Sequence, residues 1–199
     1  MAIDGSGNAY VTGESLGSDG FSDYATIKYD NLGQQQWVAR YNGTGNGNDG
    51  AAGIGIDGSG NVYVTGGSAA SDGFSDYATI KYNSLGQQQW ASRYRAPESL
   101  GDFATAIAVS SSGDVYVTGE SSGDYGTIKY DSSGLEQWVA RYNGPQGFDD
   151  YARAIALDRR GNVYVTGATH QSDIQYDWDF ATIKYIPDRI PLAHPRPTP

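Results

Sequence analysis

The sequence predicts an all-β fold assembled from four similar units, and two observations predict it. The segment SDGFSDYATIKY at 18–29 recurs letter for letter at 71–82. Around it, short runs rich in Tyr, Thr and Val alternate with Gly-containing punctuation, the pattern of half-buried strands joined by tight turns. The other landmarks keep the same beat. YVTG begins at Tyr10, Tyr63, Tyr116 and Tyr164, in steps of 53, 53 and 48, and TIKY begins at Thr26, Thr79, Thr127 and Thr182. A Trp followed by x-(A/S)-R-Y stands at Trp37, Trp90 and Trp138, whereas Trp178 is out of register. Repeats of this length mean solenoids, propellers or arrays.

Each unit reads as four short strands. The first is apolar and Ala-rich, at Gly53–Asp57, Ala104–Val109 and Ala154–Asp158. The second is NVYVTG, the third YATIKY, the fourth QQWVARY. In the third, Ala25, Ile27 and Tyr29 share one face, and Thr26 and Lys28 share the other. Neither face is strongly polar, so each sheet is expected between two copies of itself.

The turns share a grammar. DGSGN, DGSGN, SSSGD and DRRGN stand between strands one and two; DNLGQ, NSLGQ and DSSGL stand between strands three and four. An Asp, Asn or Ser side chain bonds the backbone two residues on, and Gly then takes the left-handed position that closes the hairpin. A phosphate-cradling loop is excluded, because no helix follows whose N-terminus would meet the anion.

Four-stranded units that cover one another radially are propeller blades. The pattern A-x-A-I-A-x-D-x-x-G-N-V-Y-V-T-G, then K-Y-D-x-x-G, then W, resembles the bacterial β-propeller repeat family SBBP, from Met1 to about Tyr185. The resemblance implies a β-propeller of a secreted or envelope-associated bacterial protein. It implies no defined reaction.

The units fall at about 1–50, 51–102, 103–150 and 151–185, followed by a Pro-rich tail or linker at 186–199. The first unit begins inside its first strand, and the fourth has no Trp strand. Three arrangements follow: part of a larger propeller, a closed four-bladed ring with one short blade, or self-association of two copies through the unpaired terminal blades.

Composition bounds the partners. The net charge is −10 and the pI about 4.4, which disfavours polyanions, so neither nucleic acid nor an anionic membrane surface is expected. No apolar run is long enough to insert in a bilayer. There is no Cys and there are only two His, so no zinc site and no disulfide is expected. No catalytic residue is assigned.

Residues present in every unit are read as scaffold: Lys28, Lys81, Lys129 and Lys184; Arg40, Arg93 and Arg141; Trp37, Trp90 and Trp138. Function is expected where the units differ. The connections after strands two and four are long and share one rim, and binding concentrates on loops held by a rigid scaffold. The richest loop holds His170, Asp173, Tyr176, Asp177, Trp178 and Asp179. There an aromatic ring would stack on a sugar while carboxylates accept its hydroxyls; Ca²⁺ is the alternative occupant of the carboxylates, although their spacing does not match an EF-hand loop. Asp19, Asp23, Asp72 and Asp76 lie on the same rim, as do Asp102, Asp149 and Asp150, and together would form an acidic crown. The expected function is a noncatalytic binding or scaffolding module, extracellular or in the cell envelope, with a carbohydrate or protein as partner. A glycan-active hydrolase or lyase using rim carboxylates is the alternative, and a purely structural spacer the third reading.

Overall fold

The structure is a computed structural model that describes residues 1–45, 47–97, 101–145, 147–170, 172 and 177–186. Among these residues, fifteen strands form four antiparallel sheets, each in chain order. The first sheet holds β1 (Ala2–Ile3), β2 (Ala9–Leu16), β3 (Ser22–Tyr29) and β4 (Gln35–Tyr41). The second holds β5 (Asp49–Ile56), β6 (Val62–Ala69), β7 (Ser75–Tyr82) and β8 (Gln88–Tyr94). The third holds β9 (Asp102–Val109), β10 (Val115–Ser121), β11 (Asp124–Tyr130) and β12 (Glu136–Tyr142). The fourth holds β13 (Asp150–Leu157), β14 (Val163–His170) and β15 (Trp178–Tyr185).

The two-residue alternation of the strands decides how the sheets meet. Tyr10, Tyr24, Ala39 and Tyr41 on one face of the first sheet pack against Val62, Val64, Ala78, Ile80 and Tyr82 of the second. The same face-to-face cluster joins the second sheet to the third and the third to the fourth. Burial of these apolar side chains is the main favourable term, about 1.5–3 kcal/mol for each fully buried Val or Ile. Trp37 and Trp90 reach across as expected of scaffold. Their indole N–H groups donate to the carbonyls of Ser84 and Ser132 in the next sheet, at 3.1 and 3.2 Å. Each repeated Lys lies over the Tyr ring of its own YVTG strand, 5.2–5.5 Å from the centroid.

The sheets share a centre. The first strands β5, β9 and β13 pack on one another. Gly53 and Gly55 lie against Ile107 and Val109, and the Thr105 hydroxyl donates to the Ala152 carbonyl at 2.8 Å. These strands begin two to four residues earlier than the sequence predicts. The cause is a β-bulge in each, between Ala51 and Gly53, opposite Thr118 and Gly119, and between Ala152 and Ala154. The extra residue breaks the alternation, so the outer half reads as loop. The bulge also explains the final residue of YVTG. A Cβ on Gly66, Gly119 or Gly167 would stand 2.0 Å from the carbonyl oxygen of Gly50, Phe103 or Tyr151.

The short turns follow the expected grammar. Asp57 Oδ1 accepts from the Ser59 and Asn61 amides, both at 2.9 Å, and Oδ2 accepts from Asn61 Nδ2 and the Tyr63 hydroxyl. Gly60 closes the turn at φ 78°. Asp4 and Asp158 repeat this network.

Among the described residues the first and fourth sheets keep exposed outer faces. Val64 and Val117 are fully buried, but their counterpart Val11 is 39% exposed, and Val38 of the same sheet 48%. At the other end, Phe180 is 77% exposed.

Candidate functional site

Antiparallel pairing in every sheet puts the connections after second and fourth strands on one rim. The rim carboxylates divide into three kinds. Asp23 and Asp76 are buried and spent on the repeated arginines: Arg40 Nη1 lies 3.2 Å from Asp23, and Arg93 Nη2 lies 3.1 Å from Asp76. Arg141 holds Asp124 in the same way at 2.9 Å. Asp49, Asp102 and Asp150 are fully buried and accept loop amides from Gly43, Ala96 and Gly144. Asp19 and Asp72 stay at the surface. Asp19 accepts from the Phe21 amide and the Asn42 side chain, both at 3.2 Å; Asp72 is ion-paired to Arg95, which holds its carboxyl below the usual range. The acidic crown is therefore largely internal wiring.

The loop of the fourth sheet is built differently. His170 and Trp178 face each other across β14 and β15, with rings 4.4 Å apart and 15° from parallel. Tyr151 meets Trp178 at 5.6 Å, and Phe148 meets the His170 ring edge-on at 5.6 Å. Asp177 accepts from the Ser172 hydroxyl at 2.7 Å, and Asp179 accepts the amide hydrogen of Phe180 at 2.8 Å. Asp173 and Tyr176 lie outside the described residues, so of the loop carboxylates considered for Ca²⁺ only Asp177 and Asp179 are placed.

A second place on the rim was not singled out from the sequence. A groove of about 560 Å³ opens over the first three sheets. Glycines Gly50 and Gly67 floor it, Phe74 and Phe103 wall it, and Glu14, Asn48 and Ser75 supply polar atoms. Phe103 is 51% exposed. The Arg95 guanidinium covers the Phe74 ring at 5.6 Å. The groove exists because the second unit carries Gly where its neighbours carry bulk. Gly67 occupies the position of Glu14 and Glu120, and Gly50 that of Phe103 and Tyr151. A side chain on Gly67 would meet the Phe103 ring at 2.8 Å, and one on Gly50 would meet the Glu14 carboxylate at 2.8 Å. The available signal is variation at single positions where the other units repeat, at the strand ends that lead into the long rim connections.

The described rim residues offer aromatic rings for stacking and polar groups for hydrogen bonding. The groove has one carboxylate among its lining residues, Glu14. Burial raises the Glu120 carboxyl above its ordinary range, and its Oε1 accepts the Gly123 amide hydrogen at 2.8 Å. No group of three or more His, Asp or Glu among the described residues is placed to hold a metal ion.

Three sheets of four antiparallel strands and one of three pack around a common centre, and each carries a YVTG and a TIKY strand. The beta-propeller repeat model SBBP matches residues 98–126 and 137–175. In those two segments the chain is similar to SBBP beta-propeller repeats. The matched SBBP segments lie in the third and fourth sheets, and the first two sheets keep the same registers. Among solved structures, the chain is similar to a protein of unknown function from Bacteroides caccae, with a TM-score of 0.50 and 12% identity. The match covers 86% of this chain and 57% of that one, so the chain spans little more than half the length of that protein. This likeness bears on the fold alone. No curated protein matches.

Proposed function

We propose that this chain is a noncatalytic binding module that holds a carbohydrate on its long-connection rim, in an extracellular or cell-envelope setting. The observation that carries the reading is the groove between Phe74 and Phe103. A half-exposed Phe ring beside a glycine floor gives a flat apolar surface, and a sugar ring presents a matching face of C–H groups. Glu14, Asn48 and Ser75 stand at the edge as hydrogen-bonding groups. The stacked His170–Trp178 pair, flanked by Asp177 and Asp179, offers a second surface of the same chemistry.

The hydrolase or lyase reading is less well supported. Glycoside hydrolysis uses two carboxyl groups flanking one bond. Glu14 has no carboxylate companion among the residues lining the groove. A protein ligand or a passive spacer role leaves the glycine floor without a purpose.

The test is a glycan array probed with the purified chain, followed by calorimetry on any hit. A positive glycan whose affinity falls about tenfold or more in Phe103→Ala, and less in Trp178→Ala, supports the groove. A silent array, or hits unaffected by Phe103→Ala, overturns it. Product formation from a bound glycan would favour the hydrolase instead.

A further inference from the structure

The free edge of β15 is an unfinished sheet, and the three completed sheets specify what finishes it. In each of them the TIKY strand pairs antiparallel with a Trp strand in one register. Lys28 faces Trp37, Lys81 faces Trp90, and Lys129 faces Trp138. Ala25 faces Arg40, Ala78 faces Arg93, and Gly126 faces Arg141. The Tyr residues Tyr24, Tyr77 and Tyr125 then face Tyr41, Tyr94 and Tyr142, with ring centroids 5.4–5.8 Å apart. The arginine closes the arrangement on Asp23, Asp76 or Asp124.

β15 repeats the receiving half of this pattern. It runs eight residues with no Pro, and pairs with β14 without a register shift. Among the described residues no strand lies on its other side. Asp179 holds the position of Asp23 and Asp76, yet it is exposed and in no ion pair among the described residues. Phe180 holds the position of the three fully buried tyrosines, yet it is 77% exposed. Unpaired backbone donors and acceptors, an exposed aromatic ring and an unmatched carboxylate thus occur together on one strand.

We propose that the β15 edge is a docking site for an added β-strand of the form Trp-x-x-Arg-Tyr, supplied by another polypeptide that carries this repeat. The occupant follows from continuity and charge. The equivalent strand accepts a Trp strand three times in this chain, and the arginine of each reaches Asp23, Asp76 or Asp124, the carboxylates at the position that Asp179 holds in β15. Residues 186–199 do not carry that motif, since they contain five Pro and neither Trp nor Tyr. Pro removes the ladder donors a central pairing needs. The Trp strands of a second copy are already paired within their own sheets. This inference is independent of the carbohydrate reading, because it concerns a sheet edge and not the groove.

The test uses a fluorescently labelled synthetic peptide with the sequence of residues 135–143, LEQWVARYN, titrated with the purified chain and read by anisotropy. Saturable binding is expected, weaker by about tenfold or more when the peptide Trp or Arg is replaced by Ala. Asp179→Asn in the chain is expected to weaken the parent peptide and leave the Arg→Ala peptide unchanged. Hydrogen exchange should show new protection confined to the β15 amides. Absence of binding, equal binding of a scrambled peptide, or protection on another strand overturns the proposal. A chain already dimeric and protected at β15 before peptide is added overturns the choice of occupant in favour of a second copy.

Discussion

The hydroxyl of Tyr77 in the second sheet donates to the carbonyl of Gly126 in the third, at 3.3 Å in a fully buried setting. Tyr24 repeats the bond to Ala78 and Tyr125 to Ala181, so the same side chain in each unit bonds to the next sheet. The accepting carbonyl of Gly126 also receives the Thr118 hydroxyl at 3.0 Å. Tyr77→Phe therefore leaves no orphan acceptor, and a loss of about 1 kcal/mol is expected, with Phe filling the space. Urea denaturation of the two proteins measures it; an unchanged midpoint would mean the bond contributes nothing net.

Gly119 and Gly13 end the same YVTG motif but face different neighbours. A methyl on Gly119 would strike the Phe103 carbonyl, whereas one on Gly13 would meet nothing within 4 Å. Gly119→Ala is expected to destabilise by about 1–3 kcal/mol through overpacking, and Gly13→Ala by less than about 1 kcal/mol. Equal thermal shifts in the two variants would show that the bulged strand yields freely.

The indoles of Trp90 and Trp138 form a matched pair. Trp90 Nε1 donates to Ser132, but Trp138 Nε1 is buried with no acceptor among the described residues. Replacing each by Phe removes the same volume. Trp90→Phe should cost about 1 kcal/mol more than Trp138→Phe, the difference being one hydrogen bond. Denaturation midpoints that fall equally would place an acceptor beside Trp138.

Acid sensitivity follows from the turn aspartates. Hydrogen bonds from Asn8 hold the Asp4 carboxyl down at about 2, and those from Asn162 do the same for Asp158. Bonds from Asn61 also lower Asp57, against the opposing effect of its burial. A depressed folded-state pKa means stabilisation that is complete above the ordinary carboxylate value and is lost as pH falls through the lowered one. Melting temperature should thus hold from neutrality to about pH 5 and decline between about pH 4 and 2. Asp158→Asn should flatten part of that decline while lowering stability at pH 7. An Asn variant with the full wild-type slope would remove this turn from the acid response.

Local information made the fold legible. YVTG, TIKY and the Asp-to-Gly turns each act within a few residues, so their recurrence exposed the units, the strands and the scaffold role of Trp37 and Trp90. The site was legible only where its partners are close in sequence, as with His170 and Trp178. Asp23 and Asp76 are ligand candidates in the sequence, and the structure pairs them with Arg40 and Arg93, which stand on a neighbouring strand. The groove was missed because Glu14, Phe74 and Phe103 belong to three different sheets. Its marker, Gly50 and Gly67 in place of larger side chains, has meaning only once two sheets are laid together.

The twelve identical residues at 18–29 and 71–82 occupy equivalent places, with β3 on β2 and β7 on β6 in one register. Either copy satisfies either neighbour, so local pairing energy does not tell the refolding chain which hairpin belongs where. The tether does: a nearby copy closes its loop at lower entropic cost than a distant one. Crowded refolding weakens that advantage, because a hairpin from another molecule then competes. Recovery of monomer should fall as protein concentration rises, and recoding β3 with synonymous-shaped residues should restore it.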